Sequence, residues 1–179
     1  RLSGDTLGTL RTPTTAVTSS NSYTVAANRW GDYTHTATDP NDNMTLWTFQ
    51  EYAPTTSSWG VRAIQLRAPP PATVTSISPN SLAQGQTQTV VVTGTSTQGS
   101  AFYDPPANFP NRLLANFGTG VTVNAVLASS PTSATFSVTV AAGTSQGSRN
   151  VQITNPDGQF SVGANLLTIT PSACPSISM

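Results

Sequence analysis

Apolar and polar residues alternate along most of this chain, in short runs divided by turn residues. Phe136, Val138 and Val140 alternate with Thr135, Ser137 and Thr139, the period-two pattern of a half-buried antiparallel strand. The same reading predicts strands over 73–78, 87–95, 121–128, 134–140, 149–154 and 160–170. Asn155-Pro156-Asp157-Gly158 has Pro second and Gly fourth, so it predicts a turn joining the last two as a hairpin. Ahead of these, strands are expected over 33–38, 44–52 and 59–66, with a further strand over 1–11. Asp39-Pro40-Asn41-Asp42-Asn43 and Pro54-Thr55-Thr56-Ser57-Ser58 separate the first three by turn chemistry. Residues 12–28 read as a long polar loop with a short strand over 23–26. In the strand over 44–52, Leu46 falls on one face and Trp47 and Phe49 on the other, so that strand expects cover on both sides.

Arg67-Ala68-Pro69-Pro70-Pro71-Ala72 is the clearest boundary, because three prolines remove donors and favour an extended connector. The organisation expected is a β segment over 1–67, a Pro-rich linker over 68–72, a β-sandwich over 73–170 and a tail over 171–179. Because the sequence opens inside an expected strand, it reads as an internal or C-terminal piece of a longer precursor.

Composition changes the picture mainly by exclusion. Only 8% of residues are charged, the formal net charge is zero, and the seven basic residues are all arginine, spread singly along the chain. No basic patch is available to neutralise a phosphate backbone, which argues against a nucleic-acid partner. No apolar run approaches a membrane span, so no membrane partner is expected. Ser and Thr solubilise the surface in place of charge, as in secreted all-β modules. Cys174 is the sole cysteine, so no internal disulfide can form.

Two resemblances follow. Arg29-Trp30-Gly31-Asp32-Tyr33, Asp39-Pro40, Glu51-Tyr52 and Trp59-Gly60-Val61-Arg62 occur in the order found in the closing blade of sialidase-like β-propellers of secreted bacterial proteins. That resemblance covers 29–67, about one blade, which buries too little to fold unaided. Ile77-Ser78-Pro79-Asn80-Ser81, Gln84-Gly85-Gln86-Thr87, Val91-Val92-Thr93-Gly94-Thr95, Phe117-Gly118 and Asn155 to Gly158 resemble an IPT/TIG domain over 72–170. The departure is an insertion over 96–113. Together these imply an all-β chain: a propeller-blade-like segment followed by an immunoglobulin-like β-sandwich, a class that also fits six or seven short strands in about a hundred residues.

Candidate sites are few. Trp30, Tyr33 and Trp59 have the chemistry of a sugar-stacking platform; equally, such aromatics fill seams between packed layers. Asp39 and Asp42 have oxygen-ligand spacing, but the turn lacks a calcium loop's central Gly and closing Glu, so no metal or other cofactor is expected. Glu51-Tyr52 with Arg29 and Arg62 invites a sialidase reading, yet that family draws its catalytic groups from several blades. His35, the single histidine, offers neither a triad nor a zinc site. Trp47 and Phe49 are candidate interface residues, as are Phe102, Tyr103 and Phe109 of the insertion, suited to a contact folded back over the linker.

The expectation is therefore a non-catalytic structural, adhesive or self-associating portion of a secreted or cell-surface protein. Its partners would be other domains of the precursor or further copies of the chain. The alternative is a carbohydrate-binding or accessory module of a sialidase-like glycosidase, with glycan as partner.

Overall fold

The computed structural model describes residues 5–24, 31 and 34–172. Within them the protein is all-β, with eleven strands and no helix. It divides into two compact units, Arg1–Ala68 and Pro69–Met179.

The first unit is a three-stranded antiparallel meander: β1 (His35–Thr38), β2 (Leu46–Tyr52) and β3 (Gly60–Leu66), in that spatial order. Register sets Trp47 beside Ala37 and Gln65, and Phe49 beside His35 and Ala63. Leu46 pairs with Leu66 and Thr48 with Ile64 on the opposite face. Apolar side chains thus emerge on both sides of one sheet, as the pattern in β2 requires.

Residues 5–11 form no strand, contrary to expectation. Gly8, with a left-handed φ of 82°, weakens any ladder there, and Thr9 closes a local turn onto the Thr6 carbonyl; residues 1–4 of the expected strand lie outside the described residues. Residues 12–24 are irregular, as expected, and the end of that stretch is stitched to the β2–β3 hairpin. The Ala53 amide donates to Ser19 Oγ, Asn21 Nδ2 to the Pro54 carbonyl and the Ser57 amide to the Ser22 carbonyl. Of the short strand over 23–26, Tyr23 and Thr24 are irregular; residues 25 and 26 lie outside the described residues.

The second unit holds eight strands: β4 (Thr73–Ser78), β5 (Ser81–Ala83), β6 (Thr87–Thr95), β7 (Leu114–Asn116), β8 (Val121–Ser130), β9 (Ser133–Val140), β10 (Gly147–Thr154) and β11 (Phe160–Thr170). They make two four-stranded sheets, β4-β6-β9-β8 and β5-β11-β10-β7. These orders match the A-B-E-D and C-F-G sheets of the immunoglobulin fold, with β5 added in parallel beside β11. The inward residues of both sheets, among them Val90, Val92, Phe136 and Val138 against Val151, Ile153, Leu167 and Ile169, form one dry core. At its centre Phe117 and Phe136 meet edge-on, ring centroids 5.9 Å apart. Periodicity does not reveal β5 and β7, because three residues are too few to alternate.

The insertion is pinned at two points. Arg112 grips Asp104 through Nε and Nη2 at 2.7 and 2.6 Å, and the Leu113 amide adds a third bond to the same carboxylate. Asn155, buried in the β10–β11 turn, donates to the Ala101 carbonyl and accepts from the Tyr103 amide. Phe102 between them is only 2% exposed and belongs to the sandwich core. It is therefore consumed within its own unit and is not free for the fold-back contact expected of it. Gly94 makes the room: a Cβ there would lie 2.8 Å from the Phe102 ring tip and 2.9 Å from the Thr73 carbonyl oxygen.

A fragment spanning 69–172 is expected to melt in a single cooperative transition. Gly94→Ala should lower its stability by about 1–3 kcal/mol through overpacking, measured by urea unfolding.

Burial works to raise the Asp104 carboxyl, but hydrogen bonds from Arg112 and the Leu113 amide, with the Arg112 charge, hold it below the usual carboxylate range. A depressed folded-state value stabilises fully above the unfolded value of about 3.9 and is lost as pH falls through that range. The stability gap between the natural chain and Asp104→Asn should shrink on going from about pH 6 to about pH 3.

Candidate functional site

The turn between β1 and β2 is where the sequence concentrates acidic chemistry, and it is closed by its own hydrogen bonds. The Asp39 amide donates to the Thr45 carbonyl at 2.8 Å and the Asn43 amide to the Asp39 carbonyl at 3.2 Å. Asp39 Oδ1 accepts from the Asn41 amide and side chain, both at 2.9 Å, while Oδ2 accepts the Trp47 indole N–H at 3.0 Å. The Asn41 amide first, and then the Trp47 indole, hold the Asp39 carboxyl below its ordinary range. Asp42 is buried; its Oδ1 takes the Met44 and Thr45 amides at 2.7 and 2.8 Å, and its Oδ2 the Thr45 hydroxyl at 2.7 Å.

All four carboxylate oxygens are therefore already acceptors for the turn itself. A cation could recruit them only by breaking bonds that shape the loop. No group of three His, Cys, Asp or Glu is placed to hold a metal among the described residues. The turn also fixes Trp47, which is half-buried, by anchoring its indole nitrogen.

Glu51 has a similar local use, accepting the Gly31 amide at 3.1 Å. Adjacent strand positions point to opposite faces, so Glu51 shares a face with its register partner Val61, whereas Tyr52 and Arg62 share the other. A Tyr/Glu couple cannot assemble on such a ladder. Arg29, Trp30 and Tyr33 lie outside the described residues, as does Cys174.

The first unit also presents several large apolar side chains to solvent. Trp59 is 64% exposed and Phe49 42%, with Val61, Leu46 and Leu66 also exposed. In the second unit, Tyr103 and Phe109 of the insertion are half-buried. A patch that sequence reading missed lies on the outer face of β7, β10 and β11. Leu114, Thr154 and Phe160 align as one cross-strand row, and Asn116, Gln152 and Val162 as the next. Leu114, Phe160 and Val162 are all exposed. The signal was present: β11 carries Phe160 and Val162 at even positions and Leu167 and Ile169 at odd ones. Beside that patch, an open groove of about 330 Å³ runs between β7 and β8, floored by Leu113, Ala115, Val123 and Val126. Arg112 stands at its edge with its charge matched by Asp104.

The family-model comparison bears on the second unit. The family model for quinohemoprotein amine dehydrogenase, alpha subunit domain III, matches residues 71–162, just over half of the chain. The chain belongs to that family. Among solved structures it is similar to domains 4 and 5 of the S-layer protein SbsC, at 18% identity and a TM-score of 0.33. That match covers 72% of this chain and 58% of the other. No curated protein matches the chain. The domain III family differs in name from the IPT/TIG family that the motifs resemble, and an all-β module is common ground between the match and the structure. The amine dehydrogenase named by the family is an enzyme; the matched part is one domain of one of its subunits.

Asp42→Ala leaves three donors at a buried turn without their acceptor and should cost about 1–3 kcal/mol. Calcium should leave the melting temperature of both natural chain and variant unchanged; a calcium-dependent rise lost in the variant would reveal a metal site instead.

Proposed function

We propose that this chain is a non-catalytic structural module of a secreted or cell-surface protein, one that associates through exposed β surface with neighbouring domains or with further copies of itself. One contrast carries the reading: the carboxylates best placed for chemistry, Asp39, Asp42, Glu51 and Asp104, are all engaged in local bonds, whereas solvent meets Phe49, Trp59, Val61, Leu46 and Leu66. A three-stranded sheet with apolar side chains on both faces gains free energy by being covered, and an uncovered patch of several hundred Å² is uncommon in a monomer. The motif-level likeness to IPT/TIG modules supports the same role, since in extracellular proteins that family supplies spacers and adhesive modules.

A second reading has one observation in its favour. The strong exposure of Trp59 suits an aromatic platform for sugar rings, with Trp30 and Tyr33 as its proposed companions, and would make the chain an accessory module of a glycosidase.

Sedimentation of the whole chain over a range of concentrations separates the two. The structural reading expects concentration-dependent association that Phe49→Ser weakens about tenfold, ~1.4 kcal/mol. A chain that stays monomeric, and whose tryptophan fluorescence responds to oligosaccharides until Trp59→Ala removes the response, transfers the assignment to carbohydrate binding.

A further inference from the structure

The stretch from Thr12 to Thr24 has no place in the sheets, yet it has the highest density of hydroxyl groups in the first unit. Eight of its thirteen residues are Ser or Thr, a proline lies at position 13, and no charge occurs within it. Its backbone forms neither strand nor helix. The hydroxyls fall into two sets. Toward the end, Ser19 Oγ accepts from the Ala53 amide and the Thr24 hydroxyl shares a hydrogen bond with Ser57 Oγ at 3.0 Å, so these are committed to fixing the loop. In the middle, Thr12, Thr14, Thr15 and Thr18 are all exposed, and their hydroxyls bond to no described residue.

Hydroxyls on the strands differ. Thr36 donates to Thr48, Thr87 and Thr139 share a hydrogen bond, and Asn124 reaches Ser137 and Thr139. Those side chains stand on paired backbone that a modifying enzyme cannot draw out as an extended peptide. Exposed, unstructured, uncharged Ser/Thr sequence with proline is the composition of O-glycosylated stalks. The flanking surface gives a second reason for a hydrophilic cover. Leu7 and Leu10 are more than four-fifths exposed at the head of the same stretch. They lie next to the Asp5–Arg11 ion pair, which draws the chain into a local loop.

We infer that Thr12, Thr14, Thr15 and Thr18 are acceptor sites for O-linked sugar. The donor class is a sugar carried on a nucleotide or polyprenyl phosphate, brought by a separate transferase. The threonine oxygen bonds to the anomeric carbon as the sugar–phosphate C–O bond breaks. The phosphate leaves with that electron pair, and the hydroxyl proton passes to the transferase's base. This rests on the reading of the chain as an exported module, because it places the modification on a surface facing the outside of the cell.

The absence of lysine makes the test direct. Arginine-specific cleavage after Arg11 and Arg29 releases 12–29 as one peptide. Protein isolated from its natural producing cell, separated into intracellular and external fractions, is digested and the peptide weighed before and after alkaline β-elimination. The expected result is a mass above that of the bare peptide, in sugar-sized steps, abolished by β-elimination and fragmenting to Thr12–Thr18. A variant with all four threonines changed to valine, made in the same cell, should lose the increment while its melting temperature stays the same. External protein with a bare 12–29 peptide, or sugar only on strand hydroxyls, overturns the inference and leaves the structural reading standing. Protein confined to the cell interior with a bare peptide overturns both.

Discussion

The structure depends on one contact, the closure of two sheet faces over the Phe117–Phe136 pair. Each phenylalanine belongs to a different layer, one just beyond β7 and the other in the middle of β9, so the pair bridges the two layers of the sandwich. Fully burying a large apolar side chain is worth roughly 1.5–3 kcal/mol. Some dozen large side chains of this unit are fully buried, and only a fold that brings both inner faces together can collect that sum. The insertion is drawn into the same economy. Phe102 enters the core where Gly94 leaves space, so an irregular segment of about twenty residues is tied to the packed layer by a buried aromatic.

Much of this was legible in the sequence, for a physical reason. Where one face of a strand is dry and the other wet, alternation is forced, and β9 shows it from Ser133 to Val140 without interruption. The boundaries of β1, β2 and β3 were also close, because Asp39-Pro40 and Pro54-Thr55 cannot continue a ladder. The errors have equally definite causes. Residues 5–11 looked apolar enough for a strand, but a glycine at positive φ and a local turn prevent pairing. β5 and β7 are defined by their neighbours rather than by their own pattern. Phe102 sits in an insertion with no alternating pattern, and no periodicity announces that such a loop residue dips into a core.

The candidate site was legible only in its residue types. Three acidic side chains, Asp39, Asp42 and Glu51, look available in the sequence, and the structure shows each accepting hydrogen bonds from groups of its own unit. Short-range acceptors of this kind shape turns, and sequence spacing alone does not separate them from ligand sets. Lacking charge, the surface is wetted by Thr and Ser hydroxyls, which bond across strands where a ladder brings them together and face water where it does not.

The parallel pairing of β5 with β11 carries a mechanical meaning. β5 lies near the entry of the sandwich and β11 ends at its exit, and they are joined through bonds such as the Thr168 amide to the Asn80 carbonyl at 2.9 Å and the Gln84 amide to the Thr170 carbonyl at 3.0 Å. Tension pulling the entry and exit apart would slide these two strands along each other. It would load the bonds of the ladder together rather than one after another. A module built this way holds its shape under traction until the whole patch yields at once.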